Sequence, residues 1–281
     1  FYGNARMQTF WTSQKDNINN ENDGKKVKST DMRWDLQSNS RVGANVKADH
    51  IRGQFEYGAG GTSDGGDGDV NLRRLYAVWN FGAGTLKVGK DYSPTTHFVS
   101  AQTFDVDLGL LEFGAPYSGR PGQIALGFGG FEVALVTPKT DVDLDDEAGV
   151  AADGAEKRII PKLEASWGMA FDAFNFKLFG GYQYYSLKNV DSITNPGDTN
   201  DISVTSYTVG GSGMFNFGPA YVGAQFQYGR NAGNARWGMS YTGYDEAGWD
   251  GDDDTNDVDS MGGILVAGMK MSDMLSFELG G

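Results

Sequence analysis

Side chains able to do chemistry cluster in three places. His97 lies near Ser93, Ser100 and Asp91, the residue types of a hydrolytic triad. No nucleophile elbow or oxyanion-hole glycine pattern accompanies them, so an enzyme is not expected. Aspartates alternate at Asp141, Asp143 and Asp145, a spacing that offers oxygens to Ca2+. The EF-hand pattern is incomplete there, and a solvated acidic loop accounts for the same residues; no cofactor other than such a Ca2+ is expected. The third place is segment 94–122. It carries Asp105, Asp107 and Glu112 among Phe98, Val99, Phe104, Leu108, Leu110, Leu111 and Phe113. So apolar a connector is poorly placed in open water, and folding it against a wall would bury it.

The elements that must position these residues show in the alternation of side chains. From Asp31 to Ala48, Met32, Trp34, Leu36, Val42, Ala44 and Val46 share one face, while Arg33, Asp35, Gln37, Arg41 and Lys47 share the other. That run far exceeds the usual strand of about 5–6 residues. Shorter versions recur at Gly53-Phe55-Tyr57, Leu75-Ala77-Trp79, Leu163-Ala165-Trp167 and Val222-Ala224-Phe226. Ile264 and Val266 break the rule, because they fall on the face that should be polar. About thirteen strands are expected, at 1–12, 31–48, 52–60, 70–81, 85–92, 122–128, 131–137, 158–170, 175–186, 202–217, 221–229, 259–271 and 275–281.

Connectors alternate between tight and long. Several tight ones are flanked by aromatics, among them Phe81, Phe128, Phe131, Phe171, Phe174 and Phe217. Tight turns on one rim, long loops on the other and aromatic girdles predict an all-β chain, a transmembrane antiparallel β-barrel. In lipid a sheet must close so that no edge N–H or C=O is left bare. Composition agrees: 42 Gly and only 7 Pro in 281 residues, with 13% aromatics. The absence of Cys excludes a disulfide framework and thiolate chemistry. A formal charge of −14 without a basic stripe argues against nucleic acid as a partner. The chain opens inside an alternating segment with no leader, as expected of an exported mature chain. It stops mid-pattern at Leu279-Gly280-Gly281, so further C-terminal strands are expected beyond it.

Six short motifs carry a resemblance. They are Phe1-Tyr2-Gly3-Asn4-Ala5, Ser40-Arg41-Val42-Gly43, Arg73-Arg74-Leu75 through Phe81, Gly89-Lys90-Asp91-Tyr92, Leu111-Glu112-Phe113-Gly114 and Gly119-Arg120. In kind and order they resemble the Gram-negative general porins, trimeric 16-stranded barrels of the outer membrane. The resemblance runs through residues 1–128 and is architectural afterwards. It implies a single barrel domain over 1–281, of 16 strands with about thirteen present, and a constriction loop folded inward at about 94–122. It further implies loop acids at Glu112 and Asp107, with Asp105 beside them, facing a basic ladder of Arg41, Arg74 (or Arg73) and Arg120. Asn4 stands where the best-known members carry a lysine, and Arg6 lies one inward step further on.

The implied partners are two more copies in a homotrimer, outer-membrane lipid, lipopolysaccharide, and small polar solutes and ions. Small residues such as Ser38, Ser40, Ala44, Ala48 and Gly53 would let barrels pack flush. The implied activity is passive diffusion of small hydrophilic solutes and ions in the bacterial outer membrane. A substrate-specific channel, for sugars or organic ions, is the alternative. Because the loops are acidic, a weak cation preference is expected. Trp237, Tyr241, Tyr244 and Trp249 are expected to pack a long loop rather than stack on sugars.

Overall fold

Side chains that alternate one by one sort into a greasy and a polar face only when the segment is extended, and the alternating segments are strands. The computed structural model describes residues 1–17, 26–37, 39–59, 70–102, 109–140, 155–192, 194–195, 197–239 and 245–281. In chain order the strands are β1 (Tyr2–Asn4), β2 (Met7–Asn17), β3 (Lys26–Leu36), β4 (Arg41–Lys47), β5 (Ile51–Ala59), β6 (Val70–Asn80), β7 (Thr85–Lys90), β8 (Gly122–Phe128) and β9 (Phe131–Val136). There follow β10 (Ala155–Lys157), β11 (Lys162–Ala170), β12 (Phe174–Asp191), β13 (Thr199–Phe217), β14 (Ala220–Arg230), β15 (Gly248–Trp249), β16 (Thr255–Asn256), β17 (Asp259–Lys270) and β18 (Ser276–Gly280). A 3-10 turn spans Gly233–Ala235, the single one among the described residues.

The main sheet has 14 strands in the order β1-β4-β5-β6-β7-β8-β9-β11-β12-β13-β14-β17-β18, with β10 added beside β12. Neighbours pair antiparallel throughout, as the tight turns require. One face is the apolar one: Trp79, Leu135, Trp167, Leu178, Phe226 and Leu265 are all exposed on it. The opposite face buries Glu164, Gln183, Ser206 and Gln227 completely. A sheet that is greasy outward and polar inward inverts the arrangement of a water-soluble sandwich and matches a lipid-facing wall. At the tight-turn rim, Phe81 and Phe128 meet edge to face at 5.9 Å, and Phe174 stacks on Phe176 at 6.0 Å.

The long alternating run at 31–48 is interrupted. It divides into β3 and β4, and the first expected strand divides into β1 and β2, which pair β4 and β3 respectively. The break is chemical. Ser40 Oγ accepts the Arg6 N–H at 2.9 Å, while the Gln37 N–H turns to Arg6 O, so a hydroxyl stands in for a ladder carbonyl. The connector left between the expected strands 175–186 and 202–217 is much shorter, because β12 and β13 extend past a bulge between Leu187 and Val190.

Candidate functional site

Between β7 and β8 the chain leaves the sheet at Lys90 and returns at Gly122, and the part described in between runs along the inner face. The anomaly at Ile264 and Val266 explains how. These two side chains of β17 point inward and bury Val99, Leu111 and Ala115 of the segment, with Leu110, Tyr117 and Tyr221 packed around them. The greasy loop thus docks on a greasy patch of an otherwise polar wall, and burial of apolar area holds it there. Backbone meets backbone beside the patch. A Cβ on Gly114 would lie 2.4 Å from Gly263 O, and Gly114 has φ of 111°, which only glycine adopts readily.

Polar anchors complete the docking. Glu278 of β18 accepts from Ser100 Oγ at 2.5 Å, from the Ala101 N–H and from the Tyr221 hydroxyl. Lys177 Nζ donates to Thr96 O at 3.2 Å. His97 Nδ1 lies 2.6 Å from Ser212 Oγ, and burial together with the Lys177 ammonium pulls its imidazole down to about 4. The triad suggested by residue types does not assemble. Asp91 is held by Arg74, Ser100 by Glu278, Ser93 by Thr95, and His97 by Ser212.

A second segment also folds inward. The connector after β14 tucks Trp237 to zero exposure on the inner face, so this residue packs the loop as expected; Tyr241 and Tyr244 lie outside the described residues. Glu164 clasps both segments at once. Its carboxylate accepts from the Thr95 N–H at 3.1 Å, from Thr95 Oγ1 at 2.8 Å and from Trp237 Nε1 at 3.0 Å, and it lies 3.0 Å from Lys162 Nζ. Lys162 in turn donates to Ala235 O at 2.9 Å and sits 4.9 Å from the Trp237 ring centre. In the sequence both residues are just polar members of an alternating strand, and nothing marks them out.

The arginines expected to form a basic ladder are linked in one network. Arg41 and Arg73 approach Glu56 at 3.6 and 2.7 Å. The Tyr2 hydroxyl donates to Glu56 at 2.8 Å, and Gln54 links Tyr2 to Tyr76. Arg74 lies 2.7 Å from Asp91 and stacks between the rings of Tyr76 and Tyr92 at 5.3 and 5.4 Å. Arg120 sits 5.2 Å from the Tyr92 ring and donates to the Tyr92 and Tyr117 hydroxyls. A bulge turns both Arg73 and Arg74 inward. Glu56 pairs with Arg74 and Tyr57 with Leu72, so Arg73 is the extra residue and both arginines reach inner-face acids. Arg6 lies apart at the β1–β2 break, exposed, with its backbone tied to Ser40 and Gln37.

Of the acids on the loop, Asp105 and Asp107 fall outside the described residues, as do Asp141, Asp143 and Asp145. Glu112 is described. It takes a left-handed φ of 67°, and burial raises its carboxyl above the ordinary range while Arg236 pulls the other way. Arg236 itself escaped sequence reasoning, since nothing in a long polar connector says which way it folds. Beside it opens a cavity of about 620 Å³ lined by Lys90, Arg120, Lys139, Lys162 and Arg236, together with neutral residues of the loop exit and β8 rim.

No protein-family model matches the chain, and no curated protein sequence matches it either. Solved outer-membrane proteins share its fold. The outer membrane channel DcaP of Acinetobacter baumannii is 14% identical, with 98% of this chain and 77% of that one aligned at a TM-score of 0.66. A loop L8 deletion mutant of OmpT, an outer membrane protein of Vibrio cholerae, is 15% identical over 99% and 80% of the two chains, at 0.52. An anion-selective porin from Comamonas acidovorans is 14% identical over 99% and 78%, at 0.50. The fold is therefore that of the Gram-negative outer-membrane porins and channels, all-β and antiparallel.

Proposed function

We propose that the chain forms a water-filled channel of the bacterial outer membrane through which small hydrophilic solutes and ions diffuse passively. One observation carries this: a largely apolar loop is anchored along the polar inner face of a sheet whose outer face is greasy. A wall of that kind needs lipid outside and water inside, and a loop fixed on its wet side narrows whatever passes. The role is constriction, with Arg41, Arg73, Arg74 and Arg120 forming a rigid cationic rail and Glu112, with Asp105 and Asp107, supplying acid opposite. The proposal includes a homotrimer, packed through small outer residues such as Ala48 and Gly53, in contact with lipid and lipopolysaccharide. It involves no enzymatic step and no cofactor.

The second inward segment favours a narrower reading, a channel with preference for particular solutes. General porins and selective channels differ in kinetics, since a selective pore saturates. Planar-bilayer recording of the protein refolded in detergent tests both. Stable conductance steps, in threes for a trimer, are expected; folded β-rich protein that inserts without conducting would overturn the proposal.

A further inference from the structure

We infer that the cavity beside Arg236 is a binding subsite for small oxyanions, carboxylates or phosphates, placed in the path of permeating solutes. This rests on the channel reading and adds a ligand class to it. Three separate segments supply the cations: Lys90 from the end of β7, Arg120 from the exit of the first inward loop, and Arg236 from the second. Lys139 and Lys162 add two more cations to the lining, and among the described residues no acid lines it. Two of the five charges are answered by the protein. Lys162 is paired with Glu164 at 3.0 Å, and Lys139 lies 3.8 Å from Glu246. Among the described residues, Lys90, Arg120 and Arg236 have no carboxylate within ion-pair distance. Glu112 is within electrostatic reach of Arg236 but does not line the cavity.

The Arg120 side chain and the backbone that carries Arg236 are also held in place. Arg120 is fixed over the Tyr92 ring by bonds to two tyrosine hydroxyls. Arg236 takes a left-handed φ of 57°, its carbonyl accepting from Ser118 Oγ and its N–H donating to Gly233 O. Arg120 and Arg236 both lie within electrostatic reach of Lys90; like charges side by side repel, and a mobile anion relieves that repulsion. Two guanidinium forks suit planar carboxylate and tetrahedral phosphate oxygens better than a bare halide. The formal charge of −14 does not oppose this, because charges beyond about 8 Å are largely screened at physiological salt. The local sign is therefore opposite to that of the chain as a whole.

The test is single-channel recording in KCl with inorganic phosphate or acetate titrated in at constant ionic strength. A saturable fall in current is expected, and the concentration for half block should rise about tenfold in Arg236→Gln and again in Lys90→Gln. Lys270→Gln, at the far tight-turn rim, should leave the block unchanged. Acetate without effect beside phosphate block would assign the site to phosphates, and the reverse to carboxylates. A conducting channel whose current is indifferent to both anions, or whose block survives both substitutions, overturns the subsite and leaves the channel proposal standing. Folded protein that does not conduct overturns the channel, and calorimetry of phosphate binding in detergent then decides the subsite alone.

Discussion

Glu164→Ala is the most informative perturbation. The substitution deletes the acceptor of the Thr95 N–H, Thr95 Oγ1 and Trp237 Nε1, and it strands the Lys162 ammonium at 2% side-chain exposure. Removing one partner of a buried ion pair costs roughly 3–5 kcal/mol, because the other charge stays desolvated. The carboxylate joins two loops to a wall whose own ladder does not depend on it, so the loss should appear as loop release rather than unfolding. A loss of about 3 kcal/mol multiplies the undocked population more than about a hundredfold. Limited proteolysis in detergent should cut the variant within 91–121 or 231–258 while the wild type resists, and conductance should rise as the constriction opens. The pair Lys162→Met with Glu164→Leu separates the causes. It removes the stranded charge, which restores stability, yet it returns no acceptor to Thr95 or Trp237, so the loops should stay loose. A Glu164→Ala protein with wild-type conductance and wild-type protease resistance would refute the reasoning.

Three further outcomes are expected. Leu111→Ala should weaken loop docking by about 2–5 kcal/mol, since Leu111 is fully buried on the Ile264–Val266 patch, and protease sensitivity in 91–121 measures it. Gly114→Ala meets Gly263 O at 2.4 Å and demands a strained φ, so it should release the same segment without changing the circular dichroism of the sheet. His97 is held neutral when docked, with its pKa depressed to about 4, so the undocked state binds more protons between about 6.5 and 4. Docking should therefore weaken as pH falls through that window, and His97→Gln should flatten the dependence of conductance on pH; a slope of opposite sign would contradict the assignment.

Most of the wall was legible in the sequence, because lipid on one side and water on the other force a period of two that packing cannot disguise. Trp167 and Met169 outward with Glu164 and Ser166 inward needed no structure to place. The breaks were not legible. Ser40 looks like any small outer residue until its hydroxyl replaces a ladder carbonyl, and Arg73 differs from Arg74 only through a bulge set by the facing strand. Ile264 and Val266 were visible as an exception without a reason, and the reason lies some 150 residues earlier in the loop they bury. Glu164 and Arg236 escaped for a related cause: their partners come from segments remote in sequence, and alternation is blind to whatever lies across the interior.

The greasy dock on β17 has a consequence for biogenesis. Ser100 meets Glu278 across a sequence separation of 178 residues, and Val99 waits on Val266 in the same way. Until the β17–β18 hairpin arrives, Leu111 and its neighbours have nowhere dry to go. Such distant contacts form late, and sticky surface left uncovered meanwhile invites misassembly. The contact that docks the loop is thus also the one that covers its apolar surface.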